Sequence, residues 1–447
     1  FRDISYWENY FLRLSLIIIL LVNILSGCSE QDRILSGKRV DPDSVFGFTN
    51  RDKNALAKDN RIQLPSMKAN KQWAAISSAI SKDNPNLMLD ENPSEIWSVS
   101  VGKGDSKKKR LVIDPIFYEK KIFTLDVNSI ASAFDVDGKL LWRKNLTPPG
   151  EKTGEIFGGG MTIGQGQLFV TLGYGFVISL DPLTGNKNWS QRLSGSGNNT
   201  PIFDDGLLYL VSGDSTAWAI AADNGRVRWK IDAIGNDTNL MSSNSPAISD
   251  KYVVFGFGNG EIYTSFKKGG YVLWSSSLSG KIEGSVLSAI DDIVASPVII
   301  DRNVYVANGS AQVVSLKIES GERNWTASFG SNGNFWIAGG ALFFISDSNK
   351  LVRLEMKTGK TVWVTELPSF SQRRLGRTKK PIQHYGPIIA GNQLILASSD
   401  GYIRFYEPKA GKQQNKFKIK SGATTNPIAV GKTLYLITQD GKLRAFR

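Results

Sequence analysis

Enzymatic chemistry needs nucleophiles, acids, bases or metal ligands at workable spacing, and this chain of 447 residues is poor in two of the most useful types. It has one cysteine, Cys28, and one histidine, His384. An intramolecular disulfide is therefore excluded, and a Cys/His zinc cluster or a Cys-His nucleophile pair would need more than the chain holds unless these two meet. Carboxylates such as Asp291 and Asp292 could act as general bases, but no partner stands at a spacing that defines an acid/base pair, and a turn or rim position is the simpler reading. Gly158-Gly159-Gly160 would cradle a phosphate only ahead of a helix N-terminus; Met161-Thr162-Ile163 reads as a strand, so these glycines are expected to open it. His384, between Gln383 and Tyr385, is expected to be a hydrogen-bonded structural residue. No catalytic residue, cofactor or metal is expected.

The N-terminal residues point to a different kind of chemistry. Residues 14–25 are apolar except for Ser15 and Asn23, with Arg13 before them and Ser26-Gly27-Cys28 after them. A bilayer span needs about 20 apolar residues, so this run suits a secretory h-region better than a membrane helix. Leu25-Ser26-Gly27-Cys28 looks like a bacterial lipobox, in which a peptidase cuts before a cysteine whose thiol carries diacylglycerol. The expected organisation is a signal peptide over residues 1–27, a flexible tether over 28–62 beginning at lipidated Cys28, and a folded body over 63–447. Ser29 rather than Asp after the cysteine resembles lipoproteins sent to the outer membrane. A lipid anchor plus a basic body is a two-signal arrangement for stable membrane attachment.

The body is basic: 54 Lys and Arg against 41 Asp and Glu give +13. The densest run, Arg373, Arg374, Arg377, Lys379 and Lys380, reads as a solvated loop able to touch anionic lipid, lipopolysaccharide or an acidic protein. Secretion would remove access to nucleic acid.

The elements that position these residues follow from a repeat. Glycine followed four residues later by tryptophan occurs at Gly138/Trp142, Gly185/Trp189, Gly225/Trp229, Gly270/Trp274, Gly321/Trp325 and Gly359/Trp363. The same register reaches back to Trp97 and forward to Gly411, with Asn415 where tryptophan would stand. A period of roughly 40–50 residues indicates a propeller or solenoid. Each unit reads as four short strands: in one, Pro246, Tyr252 to Phe257, Glu261 to Phe266 and Tyr271 to Trp274 carry the strands, with Asn259-Gly260 and Gly269-Gly270 as turns. Asp400-Gly401 and Asp440-Gly441 occupy the first of these turns, where φ must be positive. The last unit, from Asn426 to Arg447, has only three strands, and the segment around Trp97 lacks three. Together they predict an all-β, eight-bladed β-propeller of four-stranded antiparallel blades, closed by an N-terminal strand in the last blade. Residues 71–82 are expected to form one short helix. The tag tryptophans are expected to fill the wedges between blades.

The stretch Leu180-Asp181-Pro182-Leu183-Thr184-Gly185 ending in Trp189 resembles the tryptophan-docking repeat of pyrroloquinoline-quinone-type propellers. With the lipobox, Gly37-Lys38-Arg39, Leu64-Pro65 and Asn70 three residues before Trp73, the chain from about residue 25 to 447 is similar to the BamB family of outer-membrane β-barrel assembly lipoproteins. That resemblance implies a non-enzymatic scaffold on the periplasmic face of the outer membrane. It would dock on a POTRA domain of the central barrel-assembly protein and help present nascent outer-membrane proteins. The implied contact loops are residues 237–245 and 288–296. Leu240 and Asp292 match the family's apolar and acidic contacts, whereas Met241 stands in place of an arginine, Thr238 of a leucine and Val294 of an aspartate. Exposed strand edges could add β-augmentation. Two other classes share the repeat or could use it. A quinone-dependent dehydrogenase commonly needs a vicinal cysteine pair, absent here, and a cell-wall glycan binder would use exposed aromatics such as Trp218 and Trp336.

Overall fold

The structure is a computed structural model that describes residues 61–74, 84–233, 244–278, 293, 295–309, 312–331, 333–371 and 380–447. The signal-peptide and tether residues up to 60, Cys28 among them, lie outside the described residues. The second strand of each blade is largely apolar, and wholly so in Ala341–Ile345 (ALFFI), and its interior residues are buried on both faces. The fourth strand alternates instead, as in Lys187–Arg192, where every second residue is exposed. Runs buried on both faces belong inside a stack of sheets, and alternating strands belong at its rim.

That patterning produces eight four-stranded antiparallel sheets. Blades 1 to 7 span residues 116–145, 159–192, 202–232, 247–277, 298–327, 336–366 and 384–418, each paired in simple meander order. Blade 8 takes Ile428–Val430, Thr433–Thr438 and Lys442–Phe446 from the C-terminus and Glu95–Ser100 as its outer strand, with Trp97 opposite Ala445 and Ser100 opposite Lys442. The predicted closure is therefore formed. Gly159-Gly160 open the first strand of blade 2, as the sequence suggested. The turns Asn259-Gly260, Asp400-Gly401 and Asp440-Gly441 have glycine φ of 80°, 84° and 69°.

First strands lie innermost and touch those of the neighbouring blade, as between blades 1 and 2, 2 and 3, 4 and 5, and 6 and 7. The meander then puts the turns between strands 1 and 2 and strands 3 and 4 on one face, hereafter the tag face. The turns between strands 2 and 3 and all connections between blades lie on the other, the loop face.

The tag works across blade boundaries. Each of the seven tryptophans donates its indole Nε1–H to a backbone carbonyl in the next blade's tag turn: Trp97 to Val136, Trp142 to Pro182, Trp189 to Ala222, Trp229 to Lys267, Trp274 to Ile318, Trp325 to Met356 and Trp363 to Pro408, at 2.7–3.1 Å. The glycine of that next turn lies on the ring. A Cβ at Gly359 would be 2.4 Å from Trp325, and one at Gly411 would be 2.6 Å from Trp363. Glycine is thus required twice over, by contact and by a φ of 68° at both positions. The predicted wedge is real, and it joins blades rather than strands.

Residues 61–89 do more than lead into the ring. A free inner edge of a first strand leaves backbone groups without partners, and this segment supplies them in four successive blades. Asn84 N donates to Ile337 O in blade 6 (2.6 Å), and Leu87 N donates to Ile389 O in blade 7 (3.0 Å). Gly431 N of blade 8 donates to Asn70 O (2.7 Å), and Trp73 exchanges N–H···O bonds with Phe117 of blade 1 (2.7 and 2.9 Å). The Trp73 ring stacks on Trp336, with centroids 6.2 Å apart. Ile62, on the tether side of the expected boundary, already packs against this core. The expected helix over 71–82 is corrected where it can be seen: Lys71 to Ala74 are extended, because the backbone of Trp73 is committed to Phe117. Residues 75–82 lie outside the described residues.

Candidate functional site

A polar belt on the loop face is built at the entry to the first strands of six blades. It comprises Asp114 in blade 1, Ser245 and Ser296 in blades 4 and 5, Asn334 in blade 6 and Asn426 in blade 8, each two residues before its strand, and Gly386 within the first strand of blade 7. The backbone N–H of one blade donates to the side chain of the next: Ser245 to Ser296 Oγ (2.9 Å), Ser296 to Asn334 Oδ1 (3.0 Å), Gly386 to Asn426 Oδ1 (2.7 Å) and Asn426 to Asp114 Oδ1 (2.7 Å). Asn426 Nδ2 also donates to Asp114 Oδ2 at 2.8 Å. Burial dominates at Asp114 and pushes its carboxyl up to about 7, against the lowering effect of the Asn426 bonds. The sequence signal for this belt was available and unused: a polar or glycine residue directly before proline, as in Asp114-Pro115, Ser245-Pro246, Ser296-Pro297 and Asn426-Pro427.

Both loops marked by the sequence spring from this belt. Leu240, Met241 and Asp292, with Thr238 and Val294, lie outside the described residues, so the structure gives the roots of the loops. Those roots are joined. Asn244, buried, donates from Nδ2 to Ile293 O at 2.7 Å, next to the Ser245–Ser296 bond, and its own carbonyl accepts from Thr200 N at 3.2 Å. Ile293 N donates to Phe257 O (3.3 Å), and the Ile293 side chain lies so close to Gly256 that a Cβ there would be 2.6 Å away. At the other end of the second loop Leu278 is fully buried and accepts from Asn308 Nδ2 at 2.9 Å. Two adjacent inter-blade loops thus rise from one hydrogen-bonded base.

The other sequence candidates are placed as follows. His384 is buried; its Nδ1 is 2.7 Å from Ser398 Oγ and its Nε2 is 3.0 Å from Pro368 O. Because the carbonyl can only accept, Nε2 carries the proton and Nδ1 accepts from the serine. Burial holds its pKa down at about 4, so the ring is neutral and structural, as expected. Trp218 and Trp336 are 3% and 6% exposed, which removes them as glycan platforms. Trp218 donates to Ser212 Oγ and lies under Lys230 Nζ at 4.4 Å. Arg373, Arg374, Arg377 and Lys379 lie outside the described residues, and Lys380 is exposed. Among the described residues no group of three or more His, Cys, Asp or Glu could hold a metal ion, and no helix is long and apolar enough to cross a membrane.

Eight blades, locked at seven of their junctions by a glycine-tryptophan tag, define a pyrroloquinoline-quinone-type propeller. Within that class, the family model described as outer membrane protein assembly factor BamB matches residues 127–365 and 339–447, and the chain belongs to this family. It is similar to outer membrane protein assembly factor BamB of Yersinia pestis, 21% identical over 371 residues, which cover 81% of this chain and 91% of the relative. The protein of the same name from Escherichia coli (strain K12) is 21% identical over 368 residues, covering 80% and 89%. Among solved structures, BamB from Moraxella catarrhalis matches with a TM-score of 0.65 at 16% identity, covering 80% of this chain and all (100%) of that one. Quinohemoprotein alcohol dehydrogenase from Comamonas testosteroni matches with a TM-score of 0.61 at 12% identity, covering 91% and 82%. Structural likeness at such identities is a likeness of fold.

Proposed function

We propose that this chain is a non-enzymatic, lipid-anchored scaffold of outer-membrane protein assembly, held by Cys28 at the periplasmic face of the outer membrane. It docks through the loops 237–245 and 288–296 on a POTRA domain of the central barrel-assembly protein and aids delivery of nascent β-barrel proteins. Membership of the BamB family supports the assembly role. The single observation that supports the docking site is the shared base of the two loops, Asn244 to Ile293 and Ser245 to Ser296. Loops rooted together present one composite surface and lose less freedom on binding than two independent ones. Leu240 and Met241 supply the apolar centre and Asp292 the charged contact. For clients, the outer strand of blade 4, Val272–Ser277, carries exposed Val272 and Leu273 beside Tyr271, which is 75% exposed, a surface suited to strand addition.

The test is co-purification with the central barrel-assembly protein. Asp292→Arg and Leu240→Asp should each weaken the complex by about tenfold or more, the effect of one lost central contact. Lys357→Glu on the tag face should leave it intact. An unaffected complex in both loop variants overturns the assignment of these loops.

A further inference from the structure

The net charge of +13 has no role in the docking just proposed. On the loop face, across the ring from the two docking loops, the connection from blade 8 to blade 1 runs through Lys103, Lys107, Lys108 and Arg110, all exposed. A compact turn fixes its tip: Ser106 N donates to Lys109 O at 2.8 Å and Lys109 N donates back to Ser106 Oγ at 3.1 Å, so Lys107 and Lys108 stand at the apex. The neighbouring connection, from blade 6 to blade 7, is tied to it by Arg110 Nη1 to Gln383 Oε1 (3.5 Å). Exposed Lys380 lies there beside Phe370, which is 60% exposed, where the two arms of this connection pair in the Phe370–Pro381 bridge.

Much of the opposite charge in this quadrant is turned inward; Glu366 is exposed but paired with Lys350 at 3.4 Å, and exposed Glu151 and Glu155 lie on the next connection, from blade 1 to blade 2. Asp440 and Glu95 are held by Arg444, which is 1% exposed and 2.8 and 3.1 Å from them. Asp400 is held in the same way by buried Arg404. Asp105 accepts from Thr424 Oγ1 and from Leu111 N, and its one ion pair, with Arg110, is 3.7 Å long. Asp126 accepts from the backbone of Lys103, Asn128 and Ile130. Among the described residues, Lys103, Lys107, Lys108 and Lys380 have no ion-pair partner. Arg404 and Arg444 are thus spent in the interior, and the lysines, with Arg110, carry the outward field.

We propose that this arc is a docking surface for a bilayer bearing anionic phosphate headgroups, with Phe370 as its interfacial aromatic. The composition favours lipid over an acidic protein. Lysine is depleted in protein interfaces, which use arginine forks and clustered aromatics in pockets. Flexible exposed lysines around a single unpocketed aromatic suit a fluid headgroup layer. The surface would orient the ring on the membrane, a task that a long acyl tether cannot perform alone.

The test uses the full chain in vesicles and reads lysine acetylation by mass spectrometry. In phosphatidylethanolamine/phosphatidylglycerol vesicles, labelling of Lys107, Lys108 and Lys380 should fall about fivefold or more relative to phosphatidylcholine vesicles, and return at about 0.5 M salt, where the Debye length is a few ångströms. Lys268 and Lys357 on the tag face serve as controls and should not change. In the variant Lys107→Glu/Lys108→Glu the protection of Lys380 should be lost, with the far-ultraviolet circular dichroism unchanged. Equal labelling in both vesicle types overturns the proposal. So does protection that appears only on adding the central barrel-assembly protein, which would make the arc a protein contact.

Discussion

Asn415 donates from Nδ2 to Oδ1 of Asn92 at 3.1 Å, at the one blade junction where neither half of the tag is present. Asn415 stands at the tryptophan position of blade 7, and Pro93 stands at the glycine position of the blade that follows. The pair is lost together because a tryptophan without its glycine would clash, and a glycine without its tryptophan would leave a void. Phe417 fills the seam instead, between Phe405 (5.8 Å) and Phe446 (5.5 Å). Asn70 and Leu87 bond to blades 8 and 7 on either side of this junction. Phe417→Ala should therefore lower stability by about 2 kcal/mol, the order expected for truncating a half-buried aromatic. Chemical denaturation checks it.

The same steric logic separates two glycines of identical φ. Gly359 and Gly166 both have a φ of 68°, but a Cβ at Gly359 would be 2.4 Å from Trp325, whereas one at Gly166 would meet nothing within 4 Å. Gly166→Ala should cost only the backbone penalty, about 1 kcal/mol. Gly359→Ala adds overpacking and should cost about 3 kcal/mol. Equal denaturation midpoints for the two variants would show that the indole contact is dispensable.

Trp73 holds the inner segment through its stack on Trp336 and its backbone pairing with Phe117. Trp73→Ala should speed amide hydrogen exchange at Leu87, Gly391 and Gly431 by about tenfold, since these bonds open with the segment. Amides in the Ala341–Ile345 strand should be unaffected.

Two buried groups bias stability in opposite directions with pH. The Asp114 carboxyl has a folded pKa near 7, above its ordinary value of 3.8, so the native state binds more protons and loses stability as pH rises from about 4 to 7. His384 has a folded pKa near 4, below 6.5, so the unfolded state binds more protons and stability falls as pH drops through that interval. Asp114→Asn should leave the histidine trend alone, with stability rising from pH 4 to 6.5. His384→Asn should leave the aspartate trend, with stability falling as pH rises. Denaturation midpoints across this range check both signs.

The ring was legible because the marker of its defining contact is local in sequence. Gly138 and Trp142, four residues apart, report the same turn-and-strand geometry in every unit, although they pack on different blades. What stayed illegible depends on backbone partners far along the chain. Nothing in the side chains of Lys71 to Trp73 announces that Trp73 will pair with Phe117, and a helix was the local reading. The Asp114–Asn426 bond spans 312 positions and has no periodic signature. The docking loops were marked by resemblance and not by pattern, and the structure contributes their common base. The basic arc was half visible: the lysines could be counted, but only folding shows which carboxylates Arg404 and Arg444 remove from the surface.

Blade 8 joins Glu95–Ser100 to Lys442–Phe446, and the inner segment leans on blades 6, 7 and 8. A ribosome makes the first partners hundreds of residues before the last. Until Lys442–Phe446 arrives, Glu95–Ser100 has no strand to pair with, and blade 7 presents a bare flank. Assembly of the circle must therefore wait until Lys442–Phe446 has been made, and such distant pairing is intrinsically slow. A protein belonging to a family of assembly factors would itself spend a vulnerable interval with unpaired strand edges, during which a holdase would do most to protect its yield.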